Sequence, residues 1–433
     1  WQVLQRTGAD QERGSSGLQR HKDGAGVTTL LFTTHPDQAL DAQLSRLDAL
    51  PVLSPFSPQA RDFVAEFARR VLRLSSLRQF PELATLAHWF RPAALEHLAR
   101  RATTVEGSVV LARGRVFHLA PANVDVLFAY AWLMSLLCGN RNVARLSQKP
   151  GAQRDALVGL LRQMHDEGLH PAILERTVLL TYPHDDNITR VISAGCHARI
   201  IWGGDATVAR IRSIPLAPLA LEIAFPDRFG VAAFRAAAIL ALSQQERSEV
   251  ARRFCNDILW FGQQACSSPR CLYWVGESAQ IAAAKALFWP AVQEHAAQFE
   301  NEPASVIARV TDAYLLAAMG QQVALDGDLS AYPMRLASTH AGCNVREVQS
   351  GHGMLVEVDI DSLQSLPAQL GDRDQTLVQY GFDSEELAAL LRSLGGRAID
   401  RVTPVGRALD FHHVWYGIDL FRVLTRQTTL SSG

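Results

Sequence analysis

The sequence predicts an α/β protein built around a Rossmann-type, doubly wound parallel sheet, followed along the chain by a second α/β domain. The chain has 433 residues, 48% of them hydrophobic, which suffices for two or three cores because one core rarely grows past about 250 to 300 residues. Between Gly114 and Gly204, short β-rich runs alternate with helical patterns, as is typical of parallel strands joined by crossover helices. A second alternation of this kind starts near Leu219. A doubly wound sheet binds nucleotides at the carboxyl ends of its strands, so we expect a nucleotide-binding domain first.

The first hundred residues are predicted to be helical after a start without regular structure. Residues 1–27 are polar and rich in Gly and Ser, a composition that disfavours a packed core. The segment 28–107 then contains apolar residues at helical spacing over three stretches, namely 37–50, 57–74 and 81–101. Ser57 is a suitable N-cap for the second stretch.

Two α/β domains and a terminal segment follow, with the boundary between the domains near residues 215–230. In residues 108–222, strands are predicted in RVFHLA, NVARLS, TVLLTY and ARIIWGG, and helices over 124–138, after Gly151 and over 186–194. In residues 223–400, strands are predicted in FGVAAF, CLYWVG, NVREVQ and MLVEVDI, and a long helix over 244–260. Residues 401–433 predict a strand and a final helix that pack on the body of the protein or on a partner subunit.

The composition excludes several classes of function. The 42 Lys and Arg residues balance 43 Asp and Glu residues, so no net field attracts nucleic acid or an anionic membrane. The longest apolar run, 126–138, is shorter than the roughly 20 residues of a membrane span. The chain has three lysines and no G-x-x-x-x-G-K-[ST] sequence, which excludes a P-loop enzyme. Six cysteines without a paired pattern, and no secretory segment before them, predict a reducing, cytoplasmic setting.

The stretch HLAPANVDVLFAYAWLMSLLCGNRNVARLSQKP, residues 118–150, contains the first candidate site. A predicted strand ends at Pro121, a helix apolar on nearly every face follows, and Gly139 and Asn140 close it before the next strand. Asn123 is either a cap of this helix or an amide donor at a strand end that could stabilise an oxyanion.

This stretch resembles the aldehyde dehydrogenase superfamily, whose motif runs P-x-N, an apolar helix, and G-N-x-x-V-x-K-P-S-E. The residues at the corresponding positions are Pro121, Asn123, Gly139, Asn140, Val143, Arg145, Leu146, Ser147 and Gln148. Three of them depart from the motif, since Arg145 replaces Lys, Leu146 replaces Pro and Gln148 replaces Glu. Further along, Gly203 and Gly204 lie where the superfamily has its cofactor-phosphate turn, although glycine there could also serve backbone geometry alone.

The stretch FGQQACSSPR contains the candidate nucleophile, Cys266. An isolated cysteine near apolar residues is most often inert core, but a Gly-Gln-Gln loop and two serines make this position less core-like. The superfamily has its catalytic cysteine in G-Q-x-C, which Gln264 and Cys266 match. The resemblance therefore implies that Cys266 is the nucleophile and that Gln264 shapes the turn. The amide of Asn123 and the backbone N–H of Cys266 would bind the oxyanion.

Four runs resemble a narrower family, the LuxC-type acyl-CoA reductases of bacterial luminescence: QQACSSP, IIWGGD, EVQSGHGMLVEV and PVGRALDFHHVWYGIDL. The resemblance extends from about Ser108 to Arg426. It implies that an activated acyl group is reduced to the aldehyde with NADPH through an acyl-cysteine. The donor would be acyl-CoA, an acyl-carrier protein or an acyl-transferring synthetase or transferase partner, and we expect a homo-oligomer. The chain length and aromatic character of the acyl group stay open.

The resemblance also predicts the choice of cofactor. NAD-preferring relatives use the last Glu of the motif to bind the adenosine ribose, and its charge would repel a 2′-phosphate. Gln148 removes that charge, while Arg145, Ser147 and Lys149 could donate hydrogen bonds to the phosphate. We therefore predict a preference for NADPH, and we expect Pro121 among the cofactor-binding residues. The alternative is that Arg145 pairs with a surface carboxylate and that Gln148 has no role.

Two glutamates are candidates with a weaker basis. Glu222 in LALEIAF falls where oxidising members of the superfamily keep a water-activating Glu, but the following Gly-Gly is absent and the distance along the chain to Cys266 is longer. Glu357 in GMLVEV falls about where the superfamily has a Glu on the nicotinamide ribose, and Glu347 competes with it. For Glu357 and Glu347 the alternative is that each merely contributes to the charged face of a late strand.

A metal site, a docking surface and two other functions are alternative interpretations of the remaining residues. Cys266 and Cys271 lack a second C-x-x-C or H-x₃-H set, so no zinc site is predicted and Cys271 is expected in the core. His412 and His413 are expected at a docking surface. A cofactor-free cysteine acyltransferase or thioesterase would use Cys266 without the Gly203–Gly204 turn, and a non-catalytic assembly subunit would need no nucleophile.

Overall fold

The computed structural model describes residues 19–23, 26–103, 106–121, 126–320, 322–338 and 345–431. Its α-helices are α1 (Leu40–Ala49), α2 (Pro58–Val71), α3 (Pro81–Trp89), α4 (Pro92–Thr103), α5 (Val126–Leu137), α6 (Ala152–Asp166), α7 (Pro171–Leu174), α8 (Asp186–Ala194), α9 (Asp205–Arg212), α10 (Ala236–Leu240), α11 (Gln244–Leu259), α12 (Ser278–Ala296), α13 (Pro303–Ala318), α14 (Ser384–Ser393) and α15 (Leu420–Leu424). Across these residues, no helix combines the length and the apolar character that crossing a membrane requires.

The strands are β1 (Gln19–Asp23), β2 (Gly26–Phe32), β3 (Ser108–Ala112), β4 (Arg115–Leu119), β5 (Arg141–Arg145), β6 (Thr177–Thr181), β7 (Ala198–Trp202), β8 (Leu221–Phe225), β9 (Phe229–Arg235), β10 (Pro269–Val275), β11 (Val323–Leu325), β12 (Met334–Ser338), β13 (Met354–Ile360), β14 (Asp374–Tyr380), β15 (Arg401–Pro404), β16 (Val414–Trp415), β17 (Ile418–Asp419) and β18 (Thr425–Thr429).

The chain divides into two compact units: unit 1 is Trp1–Pro226 with Asp419–Gly433, and unit 2 is Asp227–Ile418. Unit 1 contains a sheet in the order β1-β2-β6-β5-β4-β7-β8. Strands β4 to β8 are parallel, and β2 joins them antiparallel through β6. The strands after β4 are added first on its β5 side and then on its β7 side. The doubly wound sheet therefore has its switch point at the carboxyl ends of β4 and β7.

Helix α5 and the turn after it are held deep in unit 1. The side chains of α5 are buried around the whole helix, as expected for a helix that is apolar on every face. Gly139 has a φ of 83°, and a Cβ there would lie 2.1 Å from the carbonyl oxygen of Leu53, so this turn requires glycine. The Asn140 side chain accepts hydrogen bonds from the N–H groups of Arg113 and Gly114 at 2.9 and 3.0 Å. The Gly-Asn pair therefore has a structural role.

The end of the described chain returns to unit 1. Strand β18 pairs antiparallel with β3 along the whole of both strands. The Asn140 amide donates a hydrogen bond to the carbonyl oxygen of Leu424 at 2.8 Å, and the Arg113 guanidinium donates one to that of Val423 at 2.6 Å. The predicted final helix is the short α15, and the residues after it belong to a strand because they pair with β3.

Unit 2 contains a sheet in the order β11-β12-β13-β10-β9-β14-β15. All its pairs are parallel except β11 with β12. Helices α11 and α12 bury one face in an aromatic core that includes Phe234, Phe254, Trp274 and Phe288. Residues of α13 and α14 belong to a second core that also takes in β10, β12 and β13. Because the strands are parallel, the residues just before β9, β10, β14 and β15 lie at one edge of the sheet.

Most predicted elements are present, and the differences have local causes. The helix predicted over 81–101 is two helices, because Pro92 lacks an N–H and disfavours helical backbone in the residue before it. The run NVREVQ, predicted as a strand, contains a 3₁₀ turn at Val345–Glu347, and Arg346 turns inward to pair with Asp374. Gln19–Asp23, predicted to lack regular structure, pairs with β2 as a strand. The earlier residues, 1–18, lie outside the described residues.

Candidate active site

Cys266 lies on the loop that joins α11 to β10, at the edge where the parallel strands of unit 2 begin. The cysteine is partly exposed, whereas Ser267 and Ser268 beside it are buried. The side-chain amide of Gln375, at the start of β14, donates a hydrogen bond to the carbonyl oxygen of Cys266 at 2.8 Å. The loop is therefore tied to β14 at Cys266 and to β9 at Ser268, whose carbonyl oxygen accepts the N–H of Gly230 at 3.0 Å.

Gln263 is the main anchor of this loop. Its side chain is fully buried and donates a hydrogen bond to the carbonyl oxygen of Pro269 at 2.7 Å. The side-chain amide oxygen of Gln263 accepts hydrogen bonds from the N–H groups of Gly353 and Met354, each at 3.0 Å. Gln263 itself has a φ of 65°, in the left-handed region that costs a non-glycine residue about 1 kcal/mol or more. The buried amide contacts hold this conformation in place.

Two further contacts set the position of the loop. At Gly230 in β9, a Cβ would lie 2.2 Å from the carbonyl oxygen of Ser267, so glycine is required for the close approach. The amide of Gln264, which the sequence predicts to shape the turn, donates a hydrogen bond to the carbonyl oxygen of Ser350. The sequence does not single out Gln263, because the motif G-Q-x-C matches the glutamine two residues before the cysteine, Gln264.

The other cysteines of the described residues are poor nucleophile candidates. Cys138, Cys196, Cys255 and Cys271 are buried, and burial raises the pKa of Cys196 to about 11 and that of Cys255 to about 12. Burial also raises the pKa of the Cys266 thiol, but a hydrogen bond from Tyr416 and the nearby guanidinium groups of Arg401 and Arg228 act in the opposite direction. Cys271 lies inside β10, in the core as predicted. The sixth cysteine, Cys343, lies outside the described residues.

Arg228 organises the polar surroundings of the cysteine loop. Its guanidinium is buried, forms an ion pair with Asp400 and donates hydrogen bonds to the carbonyl oxygens of Asp372 and Asp374 at 2.8 and 2.6 Å. Its Cζ also lies 4.9 Å from the centre of the Tyr416 ring. Because Arg228 precedes β9 and its partners precede β14 and β15, the residue crosslinks three strand starts at this edge. Tyr416, which sequence reasoning did not select, belongs to this cluster.

Glu357 lies in the interior of unit 2, in the middle of β13. Its carboxylate accepts hydrogen bonds from the indole N–H groups of Trp274 and Trp289 at 2.6 and 3.1 Å, and Arg335 lies 3.1 Å away. Burial raises the pKa of Glu357, while the charges of Lys285 and Arg335 lower it. This carboxylate is thus engaged by the protein's own donors. The competing residue, Glu347, is exposed.

In unit 1, three predicted cofactor residues follow the two strands at the switch point. Pro121 comes two residues after β4, and Gly203 and Gly204 follow β7 directly. Gly203 lies close to Thr207, since a Cβ there would be 3.1 Å from its Cγ2, whereas a Cβ at Gly204 would meet no atom within 4 Å. Gly204 is also the N-cap of α9 and provides no side-chain cap. Open space therefore faces the backbone of this turn.

The last residue of β5, Arg145, and the residues that follow it form a second group near the same ends of the strands. The Arg145 guanidinium lies 5.0 Å from the centre of the Tyr182 ring and donates a hydrogen bond to the Tyr182 carbonyl oxygen at 3.2 Å; burial lowers its pKa. Ser147 accepts the N–H of Lys149 at 3.1 Å. The side chains of Gln148 and Lys149 are exposed. Arg145 thus stacks on an aromatic ring, and within the described part of the chain it forms no ion pair with a carboxylate.

Glu222 is held by two arginines within unit 1. It lies in β8 directly across from Arg199 of β7, and the buried Arg199 guanidinium donates to its Oε2, with Nε at 2.8 Å. Arg212 donates to the other carboxylate oxygen at 3.1 Å. Both oxygens are therefore engaged in ion pairs, which favours a structural role.

Asn123 lies outside the described residues, so its position relative to the other candidates stays a prediction. Unit 1 contains the described residues Pro121, Arg145, Ser147, Gln148, Gly203, Gly204 and Glu222, and unit 2 contains Cys266 and Glu357. Among the residues that have described positions, no group of three or more His, Cys, Asp or Glu side chains is arranged to hold a metal ion. His412 is exposed and His413 is buried, with their rings stacked at 4.5 Å.

Comparison with known proteins identifies the fold and the family. The crystal structures with a similar fold include NAD-dependent benzaldehyde dehydrogenase from Corynebacterium glutamicum, 12% identical, with a TM-score of 0.60 over 89% of this chain and 86% of that chain. Methylmalonate-semialdehyde dehydrogenase from Oceanimonas doudoroffii, 12% identical, has a TM-score of 0.64 over 92% and 90% of the two chains. Aldehyde dehydrogenase 21 from Physcomitrella patens, 11% identical, has a TM-score of 0.64 over 96% and 95%. A comparison with curated protein sequences finds no match.

The family comparison covers most of the chain and includes the cysteine loop. The model of the family described as acyl-CoA reductase (LuxC) matches residues 90–426, a range that contains Cys266, its anchor Gln263 and the Gly203–Gly204 turn. With this match and an aldehyde-dehydrogenase-like fold, the chain belongs to the LuxC acyl-CoA reductases, a family of aldehyde-forming oxidoreductases.

Proposed function

We propose that the protein reduces an acyl thioester to an aldehyde with NADPH, through an acyl group carried on Cys266. The observation that carries this proposal is the environment of the cysteine. Among the described cysteines, Cys266 is the one that is partly exposed, and its loop is held by Gln263, Gln375 and Gly230. A nucleophile needs this combination of access and fixed position.

Cys266 performs the covalent step. Its thiolate attacks the carbonyl carbon of the acyl donor, a C–S bond forms, and the C–S bond to the donor breaks so that the donor thiol leaves. NADPH, when bound, supplies the hydride that reduces the resulting thioester. The C–S bond to Cys266 then breaks, which releases the aldehyde and returns the thiolate. The released donor thiol takes up one proton, so the two-electron reduction is balanced.

The turn after β7 fits the phosphates of a dinucleotide. Gly204 opens α9 without a side-chain cap and faces open space, and the first N–H groups of a helix favour a bound anion. Gly203 packs against Thr207, which lets the chain turn directly from strand to helix. Asp205 places a negative charge in the first turn of α9, so the N–H groups rather than the net charge of this turn favour binding there.

The segment after β5 supports the preference for NADPH. Arg145 at the end of β5 and Lys149 bring positive charge to this segment, Arg154 of α6 is paired with Asp155, and Gln148 is exposed and uncharged. Arg154 donates hydrogen bonds to the carbonyl oxygens of Ser147 and Lys149, each at 2.7 Å, which fixes the backbone between them. A 2′-phosphate would meet donors here and no carboxylate at position 148.

The remaining candidates have different support. Asn123 and the backbone N–H of Cys266 are proposed to bind the oxyanion. Glu222 is weak as a general base because two arginines engage both of its carboxylate oxygens. Glu357 as a ribose ligand would have to exchange its two indole partners for the cofactor, so a role in the core of unit 2 is better supported.

The covalent step is tested by mixing the protein with a series of acyl-CoAs in the absence of NADPH. Intact-protein mass spectrometry should detect one acyl adduct, because transfer stops at the thioester when no hydride is present. The adduct should be lost in Cys266→Ala and retained in Cys271→Ala, the matched control from the adjoining strand. Acylation of Cys271, or no adduct with any acyl donor, would overturn the assignment.

The reductive step is tested by adding NADPH to the acylated protein. Loss of the adduct together with NADPH oxidation and aldehyde release supports the proposal. Turnover of the adduct to free acid or to a second acceptor, without binding of NADPH in a fluorescence titration, would instead identify a thioesterase or acyltransferase. Repeating the assay with acyl-carrier protein in place of acyl-CoA separates the possible donors.

A further inference from the structure

Helix α13 carries two charged side chains on the face that it buries in unit 2. Arg309 is fully buried and Asp312 is 7% exposed, whereas Ile307 and Tyr314, on the opposite side of the helix, are 68% and 64% exposed. Burial of a charged side chain is unfavourable unless hydrogen bonds replace those lost to water. The partners of Arg309 and Asp312 therefore indicate what their burial achieves.

Both charged side chains hold the turn at residues 350–353, which leads into β13. Oδ2 of Asp312 accepts the backbone N–H of Ser350 at 2.7 Å and its hydroxyl at 2.6 Å. Hydrogen bonds to an ionised acceptor of this kind are stronger than those between neutral groups. Arg309 donates to the carbonyl oxygen of His352 at 3.3 Å. Helix α13 thus holds the turn at two points.

The turn has a backbone conformation that depends on support from its surroundings. Gly351, His352 and Gly353 have φ values of 99°, 61° and 78°, in the left-handed region that disfavours a residue with a Cβ. A Cβ at Gly353 would lie 2.3 Å from the ring of Tyr332, and one at Gly351 would lie 2.8 Å from Nε2 of Gln264. The turn is therefore wedged between Tyr332 and the cysteine loop.

Three hydrogen bonds join the turn to the cysteine loop. They run from the His352 N–H to the Gly262 carbonyl oxygen at 2.8 Å, from the Gly353 N–H to the Gln263 side-chain oxygen at 3.0 Å, and from the Gln264 amide to the Ser350 carbonyl oxygen. The last of them uses the residue that Asp312 holds. A continuous path of hydrogen bonds therefore leads from Asp312 through Ser350 to Gln264, two residues before Cys266.

We propose that Asp312 is a positioning residue for Cys266, which acts through Ser350 and Gln264. The carboxylate fixes the N–H and the hydroxyl of Ser350, and this keeps the carbonyl oxygen of the same residue directed at the Gln264 amide. Without the carboxylate, both donors lose their acceptor and the backbone at Ser350 can rotate away. A misplacement of about 1 Å costs roughly a hundredfold in rate. The inference rests on the proposed function, because it concerns attack by the Cys266 thiolate.

The first test measures the rate at which an acyl-CoA acylates Cys266, by intact-protein mass spectrometry. Asp312→Ala removes the acceptor of both hydrogen bonds, so the rate should fall by about ten- to a hundredfold. Asp312→Asn keeps an oxygen of the same reach, so its rate should lie within about tenfold of the wild type. Ser350→Ala removes the hydroxyl alone, and the rate should fall by about three- to tenfold. Equal losses in Asp312→Asn and Asp312→Ala would overturn the inference.

The matched control is Asp383→Ala. Asp383 also accepts two backbone N–H groups, those of Glu385 and Glu386 at 2.9 Å each. It follows the carboxyl end of β14, at the opposite edge of the sheet from the cysteine loop. Its replacement should leave the acylation rate unchanged, and a loss as large as that in Asp312→Ala would contradict the proposal.

A double-mutant cycle tests the path through Gln264. If Asp312 acts through this residue, Asp312→Ala should lower the acylation rate less in a Gln264→Ala background than in the wild type, by a factor of at least about three. Two independent structural effects would instead multiply. Full multiplication of the two losses counts against the path.

Hydrogen–deuterium exchange of the peptide 260–268 separates this inference from the proposed function, because it needs neither acyl donor nor cofactor. Asp312→Ala should speed exchange in this peptide by about tenfold or more, and Asp383→Ala should not. Unchanged exchange in Asp312→Ala and Ser350→Ala overturns the inference, whatever the protein catalyses. Faster exchange in a protein that no acyl-CoA acylates supports the path from Asp312 and contradicts the proposed function alone.

Discussion

Gln263→Ala should destabilise the cysteine loop far more than the same change at the next position. Gln263 makes three buried hydrogen bonds, to the carbonyl oxygen of Pro269 and to the N–H groups of Gly353 and Met354. Each buried backbone group that loses its partner costs about 1 to 3 kcal/mol, and water that enters the space would recover part of this. We therefore expect a loss of about 3 to 5 kcal/mol in the free energy of unfolding.

The control is Gln264→Ala. This glutamine is half-buried and its amide donates to the carbonyl oxygen of Ser350, so the expected loss is about 1 kcal/mol. Alanine carries a Cβ as glutamine does, so the free-energy cost of the left-handed backbone at position 263 stays nearly the same in Gln263→Ala. The difference in the free energy of unfolding between the two variants therefore reports the side-chain contacts. Urea unfolding followed by tryptophan fluorescence gives both values, and the rate of Cys266 alkylation reports the loop itself. An equal or larger loss in Gln264→Ala would refute the assignment of Gln263 as the anchor.

Three further predictions concern candidate site residues, and a fourth concerns the buried carboxylate of Asp257. Asn123→Ala should lower turnover by roughly 10² to 10³, as expected for one oxyanion donor, with little change in acyl-donor binding; unchanged turnover would assign Asn123 to helix capping. Glu222→Gln should lower the free energy of unfolding, because it leaves the buried Arg199 guanidinium without its charged partner, whereas an unchanged stability with loss of the slow hydrolysis of the acyl-enzyme would identify Glu222 as a general base. Gln148→Glu should reduce the preference for NADPH over NADH by weakening NADPH chiefly, measured as kcat/KM for both cofactors, and equal use of both by the wild type would contradict it. Burial raises the pKa of Asp257 to about 7, so the folded state binds this proton more tightly than the unfolded chain does. The free energy of unfolding should therefore fall as the pH rises from about 4 to about 7, and Asp257→Asn should flatten that slope. A wild-type free energy of unfolding that stays level over this range would argue against the raised pKa.

The alternation of strands and helices was predictable because each element has its own apolar spacing and capping residues within one short stretch of sequence. Helix α8 begins and ends where the sequence predicts, at Asp186 and Ala194, and Ser57 caps α2 by accepting the N–H of Ala60. Strand β14 was not predicted, although its residues Asp374–Tyr380 pair with β9 in the middle of the sheet. Its run DQTLVQY carries buried polar side chains, so the apolar pattern that predicts a central strand is absent.

The candidate site was predictable only where its residues are neighbours in the sequence. Cys266 could be selected from the Gly-Gln-Gln loop and the two serines around it, whereas the anchoring role of Gln263 depends on Gly353 and Met354, which come from a distant segment. The partners of Glu222 depend on the register of β7 with β8, which places Arg199 opposite it. No pattern within a single segment encodes that register.

The pairing of β3 with β18 makes unit 1 discontinuous along the chain, and this sets an order for folding during translation. The ribosome completes Asp227–Ile418 before it delivers the residues of β18, so unit 2 has all its strands while β3 still has an unpaired edge. Until then Asn140 and Arg113 also lack the carbonyl oxygens of Leu424 and Val423. An unpaired strand edge is a site for association with other nascent chains. The first unit to begin synthesis is therefore the last to be finished, and chaperone demand should be highest in that interval.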